Sequence, residues 1–108
     1  MFNIDNKNNI TMVRGDTALI TLSLTGYLFS EGDQVKLTVK HSPSDSKALI
    51  SKVATEFVEG KAIIALGEDD TCNLPAGKFL YEIECRLSDG RIDTVITGTT
   101  FTLLADLG

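Results

Sequence analysis

Tryptophan is absent from this chain, and its 108 residues hold only two cysteines, two prolines and one histidine. Each scarcity closes off a class of protein. Two thiols, Cys72 and Cys85, are too few for the disulfide framework of a small secreted domain. His41, the single histidine, has no Cys, Ser or carboxylate at a recognisable spacing, so neither a metal centre nor a nucleophile–base pair is visible. Cations are also in deficit: 10 Lys and Arg stand against 15 Asp and Glu, a net charge of −5. Such a chain has no cationic excess to displace counterions from a phosphate backbone, which argues against nucleic acid as a partner. Apolar runs are short, and none approaches the ~20 residues that span a bilayer. The opening Met1 to Asn9 has no cationic stretch followed by an apolar one, so no signal peptide is expected and synthesis in the cytoplasm is the simplest reading.

What is present suits a pleated sheet. Ile, Leu, Val, Phe and Thr dominate the apolar and half-buried positions, and β-branched and aromatic side chains pack well there. Residues 74–104 read as two long antiparallel strands joined at Asp89-Gly90. Phe79, Tyr81, Ile83, Cys85 and Leu87 alternate with Leu80, Glu82, Glu84 and Arg86, so the first set lines one face and the second the other. Asp-Gly between two such runs predicts a type I′ turn. Gly98 interrupts the last strand and predicts a bulge that changes its side-chain phase.

Upstream the pattern repeats in shorter pieces. Residues 1–9 are polar and asparagine-rich, read as a flexible lead-in. Ile10 to Val13 is a short strand, and Arg14-Gly15-Asp16 a turn rather than a cell-adhesion signal. In Thr17 to Thr25, Ala18, Ile20, Leu22 and Leu24 take one face, and the outer face is threonine- and serine-rich with Leu19 as its exception. Tyr27, Leu28 and Phe29 follow in a loop, where they either plug one end of the core or form a contact patch. In Gln34 to Lys40, Val35, Leu37 and Val39 point inward. Ala48 to Ala54 is strand-like, and Phe57 to Leu66 reads as a hairpin turning at Glu59-Gly60. The acidic Gly67 to Asn73 could suggest calcium, but the ligand pattern of a calcium loop is missing; a helical turn with its acids at the N-terminal end accounts for the same residues.

The sum is a single all-β domain over residues 1–108. About seven or eight short strands with turn signals between them indicate an antiparallel β-sandwich, immunoglobulin-like in architecture but without the antibody disulfide or tryptophan. Cys85 falls on the buried phase; Cys72 lies in a turn, and a bridge between them would need the chain to double back. There is no Gly-x-Ser-x-Gly elbow and no phosphate-binding glycine loop. Glu82 and Glu84 share a face with Arg86 and read as a solvated stripe, not an acid–base pair. No catalytic, cofactor-binding or metal-binding residue is expected. Tyr27, Leu28 and Phe29 are the candidate interaction surface.

The order of the pieces carries a resemblance. Ile10-Thr11-Met12-Val13-Arg14-Gly15-Asp16-Thr17, then Gly32 to Lys40, Gly60 to Ile64, Leu74-Pro75-Ala76-Gly77-Lys78-Phe79-Leu80-Tyr81-Glu82-Ile83 and Gly98 to Leu103 together resemble the N-terminal domain of phage baseplate upper proteins. Related small immunoglobulin-like domains of phage and prophage virions are similar. The resemblance implies a non-enzymatic structural protein of a tail or baseplate, located in the virion and assembled in the host cytoplasm. It further implies contacts with other virion subunits, symmetric multimers, and no catalytic residues. Baseplate upper proteins carry further domains after this one. The alternative reading is a bacterial extracellular binding or adhesin domain, carbohydrate-binding in one version. That version is short of the aromatic platforms sugars stack on, with Tyr27 and Phe29 its only loop candidates.

Overall fold

A computed structural model describes residues 2–106. Nine strands and one helical turn are present among them: β1 Phe2–Ile4, β2 Ile10–Val13, β3 Ala18–Leu22, β4 Gln34–Lys40, β5 Ile50–Val53, β6 Glu56–Val58, β7 Lys61–Leu66, α1 Glu68–Thr71, β8 Gly77–Arg86 and β9 Ile92–Leu104. They form two sheets. One has six strands in the order β1-β2-β9-β8-β4-β5, the other three in the order β3-β7-β6. The inward residues of both sheets belong to a single core, an architecture compatible with an all-β sandwich.

Alternation placed most of that core. Val35, Leu37 and Val39 on β4 and Phe79, Tyr81, Ile83 and Cys85 on β8 are buried from the six-stranded sheet. Ile20, Leu22, Ile64 and Leu66 face them from the other. Burial of each large apolar side chain stabilises by roughly 1.5–3 kcal/mol, so period-two patterning is the main determinant of which face turns inward.

Four sequence expectations are corrected. The sheet is not wholly antiparallel: β2 runs parallel to β9, with Ile10 opposite Phe101 and Val13 opposite Leu104. There are nine strands rather than seven or eight, because residues 2–4 form a short one where a lead-in was expected.

The asparagine-rich start, over its described residues, is ordered rather than a loose lead-in. Phe2–Ile4 pairs with Ile10–Met12. Between them Asp5 Oδ1 accepts the backbone N–H groups of Lys7 and Asn9, each at 2.9 Å. Asn9 Oδ1 then accepts the Thr100 backbone N–H and hydroxyl, at 3.0 and 3.1 Å. Short polar side chains that bond nearby backbone build such turns, and composition alone reads them as loose. Met1 lies outside the described residues.

Finally, the type I′ turn sits elsewhere. Glu59 and Gly60 both have positive φ, +52° and +78°, between the paired residues Val58 and Lys61. At the other hairpin only Gly90 does (φ +97°). There Gly90 N–H bonds Leu87 O at 2.9 Å and Leu87 N–H bonds Arg91 O at 2.8 Å, the pattern of a type I turn closed by a glycine bulge.

The long hairpin of β8 and β9 slips register twice, between Tyr81 and Ile83 and again between Ile83 and Glu84. One extra residue falls on β9 beside Gly98, where the sequence predicts a bulge, and a second at Val95, which the sequence does not signal. Each slip adds one residue, so the phase changes only between them, where Ile96 lies opposite Ile83; past both slips the original phase returns, with Ile92 exposed opposite Arg86 and Phe101 buried opposite Phe79.

Candidate interaction surface

The two ends of the sheets are closed by different devices. At one end, Thr71 is fully buried, and its Oγ1 accepts the Gly15 backbone N–H at 2.8 Å. Arg14 donates to the Cys72 carbonyl at 2.8 Å. The Arg14-Gly15-Asp16 triplet is therefore a turn tied down to α1, as the turn reading expects. Asp70 accepts the Gly67 backbone N–H at 2.7 Å and pairs with Lys52 at 3.3 Å, so the acidic connector is a helical turn whose carboxylate satisfies its own first amide.

At the opposite end, Asp33 organises two loops. Its carboxylate is buried and has three donors: the Tyr27 hydroxyl, 2.8 and 2.9 Å from its two oxygens, and the N–H groups of Ser30 at 3.0 Å and Ser88 at 2.9 Å. Desolvation pushes its pKa up, but the Ser30 and Ser88 amides and the Tyr27 hydroxyl outweigh it, and the carboxyl lies below its ordinary value. The same bond raises the Tyr27 hydroxyl. A buried carboxylate persists only when its lone pairs are filled in this way. In the sequence Asp33 ends a loop, and no local pattern there points to Tyr27 or Ser88 as its partners.

The candidate surface Tyr27, Leu28 and Phe29 divides. Phe29 is not a surface residue: it is 3% exposed and part of the core, held by its N–H on the Gly60 carbonyl at 2.9 Å. Tyr27 is half-buried, its ring edge-on to Phe29 with centroids 5.3 Å apart and the Arg91 guanidinium 5.9 Å above it. Leu28 alone projects, at 77% exposure. The loop thus plugs the core and presents one leucine. Its two aromatics are occupied, which removes the stacking platform that a sugar site would use.

Cys72 and Cys85 are both free thiols. Cys85 is buried, and burial first, then the negative charges of Asp93, Asp33 and Glu84, push its pKa up to about 11. His41 is solvent-facing, as expected. No group of three or more His, Cys, Asp or Glu positioned for a metal ion occurs among the described residues. No helix among them is long and apolar enough to cross a membrane.

A larger opening lies along the edge of the three-stranded sheet. Among the described residues β3 pairs only with β7. Beside it runs a groove of about 320 Å³ whose apolar lining includes Ile4, Ile20, Leu22, Leu24, Val95 and Ile96. It exists because β1 and β2 both join the six-stranded sheet and leave the flank of β3 uncovered. Sequence reading marked Leu19 as an exception on its face but did not see that its strand was an edge.

No protein-family model matches this chain, and no curated protein matches it.

Proposed function

We propose that the chain is a non-enzymatic structural module of a phage or prophage virion, an immunoglobulin-like sandwich that holds neighbouring subunits of a tail or baseplate. One observation carries the docking part of this reading: a well-packed two-sheet core with an open strand edge bordered by a groove of mixed apolar and polar lining. An open edge presents unpaired backbone groups to a partner strand, and natural sheets otherwise guard against that. The immunoglobulin-like description is supported by the strand order and by β2 lying parallel to the final strand.

The virion part rests on the resemblance. Its segments Ile10 to Thr17, Gly32 to Lys40, Leu74 to Ile83 and Gly98 to Leu103 fall on or around β2, β4, β8 and β9 of one sheet, and Gly60 to Ile64 falls on β7 of the other. The partners are other virion subunits, and the location is the particle, assembled in the host cytoplasm.

The test is mass spectrometry of gradient-purified particles from the strain that carries the gene. The reading expects the chain in the particles at a fixed ratio to known tail proteins. Finding it on the cell surface and absent from particles would replace this reading with that of an extracellular binding domain.

A further inference from the structure

We propose that the Asp89-Gly90 step is a latent modification site, at which the chain isomerises spontaneously to isoaspartate, and that Arg91 holds this reaction off in the folded chain.

The chemistry needs two neighbouring groups and water. The Gly90 backbone nitrogen attacks Cγ of Asp89. The carboxyl hydroxyl leaves with the amide proton as water, and a cyclic succinimide closes. Water then reopens the ring. Addition at Cγ restores aspartate. Addition at the main-chain carbonyl breaks its bond to the Gly90 nitrogen and leaves the chain running through Cγ, with the former main-chain carbonyl as the new side-chain carboxylate. Composition and mass are unchanged. Glycine is the successor that favours closure most, since it has no Cβ to hinder the approach of its nitrogen. Asp89 is the only aspartate or asparagine followed by glycine in the sequence, and both residues are exposed to water.

The fold keeps both reacting groups occupied. Asp89 Oδ1 accepts the Arg91 backbone N–H at 3.0 Å, and Oδ2 accepts the Arg91 Nε–H at 2.8 Å. The carboxylate is thus held on the residue beyond Gly90. The Gly90 N–H is held the other way, on the Leu87 carbonyl at 2.9 Å. Ring closure has to break these bonds. It also has to protonate a carboxyl that the Arg91 amide, helped by the Arg91 side chain, keeps below its ordinary value. Arg91 is fixed in turn by its guanidinium, 5.9 Å from the centroid of the Tyr27 ring.

Damage here would not stay local. Isoaspartate adds one main-chain atom between Leu87 and Arg91, the residues whose bonds close the turn. The same turn carries Ser88, whose N–H fills the buried Asp33 carboxylate.

The experiment ages the whole chain at neutral pH and follows residue 89 by electron-transfer mass spectrometry, which tells the two linkages apart at equal mass. Folded wild type is expected to isomerise more slowly than the same chain in urea, on the order of tenfold, because of the turn bonds it must break. Arg91→Ala is expected to speed the folded reaction about two- to fivefold, the range of one exposed charged pair, with unchanged circular dichroism. Arg86→Ala is the control. Arg86 is as exposed as Arg91 and pairs with Glu84 on the same hairpin, so its loss should leave the rate at the wild-type value. No isoaspartate at residue 89 in urea, equal rates in folded and unfolded wild type, an Arg91→Ala rate equal to wild type, or an equal rise in Arg86→Ala would each overturn the inference. The wild-type comparison stands without any variant, and none of these outcomes bears on the virion reading.

Discussion

The Tyr27 hydroxyl lies 2.8 and 2.9 Å from the two carboxylate oxygens of Asp33 and shares its one proton between them. That pair links the loop before β4 to the turn after β8, since Asp33 also accepts the Ser88 amide. Asp33→Ala leaves the Ser30 and Ser88 amides and the Tyr27 hydroxyl without their acceptor. An unmet buried donor costs about 1–3 kcal/mol. The variant is expected to lose stability by that order in urea denaturation, while Tyr27→Phe, which removes one donor only, loses less.

Acid should act through the same carboxylate. Its folded pKa lies below the ordinary 3.8. The stabilisation is therefore fully present above that value and is lost as pH falls through the lower folded value. Asp5 and Asp89 are lowered as well, the first mainly by the Asn9 amide and the second by the Arg91 amide. The readout is accordingly a difference: below pH 3.8, wild type is expected to lose more stability than Asp33→Asn, which has no carboxylate to titrate there.

Leu28 and Phe29 are adjacent and should answer oppositely. Phe29→Ala empties a core site, and such changes cost about 3–5 kcal/mol. Leu28→Ser removes an exposed side chain, and surface changes of this kind stay within about 0.5 kcal/mol. Thermal melts of the two variants check the division of the loop into plug and tip.

Gly60 is fixed by its neighbours. It has φ +78°, and a Cβ there would stand 2.5 Å from Leu28 Cδ2 and 3.3 Å from the Leu28 backbone. Gly60→Ala is expected to destabilise by about 1–3 kcal/mol through backbone strain and this clash. Adding Leu28→Ala should return only part of the loss, because the backbone contact and the positive φ remain; a double-mutant cycle measures the fraction.

The thiols make a chemical check on packing. Cys85 is buried with its pKa pushed up to about 11, whereas Cys72 is partly exposed. A thiolate-directed reagent at neutral pH should label Cys72 alone in the native chain and both cysteines in denaturant. Peptide mass mapping distinguishes the sites.

Much of this architecture is legible in the sequence because burial is enforced every second residue. Phe79 to Leu87 and Val35 to Val39 could face inward in only one phase, and the glycine in β9 announced its bulge. Polar closures are harder to read. Asp33 looks like any turn aspartate until the fold brings Tyr27 and Ser88 to it, and Asn9 looks like loop composition until Thr100 arrives from the far end of the chain. The parallel pairing of β2 with β9 is a fact of topology, and alternation carries no strand direction. The candidate site suffered most: periodicity marks which face of β3 is wet, but only the sheet order shows that one side of that strand has no neighbouring strand among the described residues.

Hydrogen exchange reads that open strand directly. Peptides spanning β3, β5 and β6 would be followed by mass spectrometry in the free chain and in the chain assembled in purified particles. The prediction is higher amide protection of the β3 peptide in the particles, with the β5 and β6 edges unchanged. Equal protection of β3 in the two states, or a gain at another edge instead, would contradict a docking role for β3.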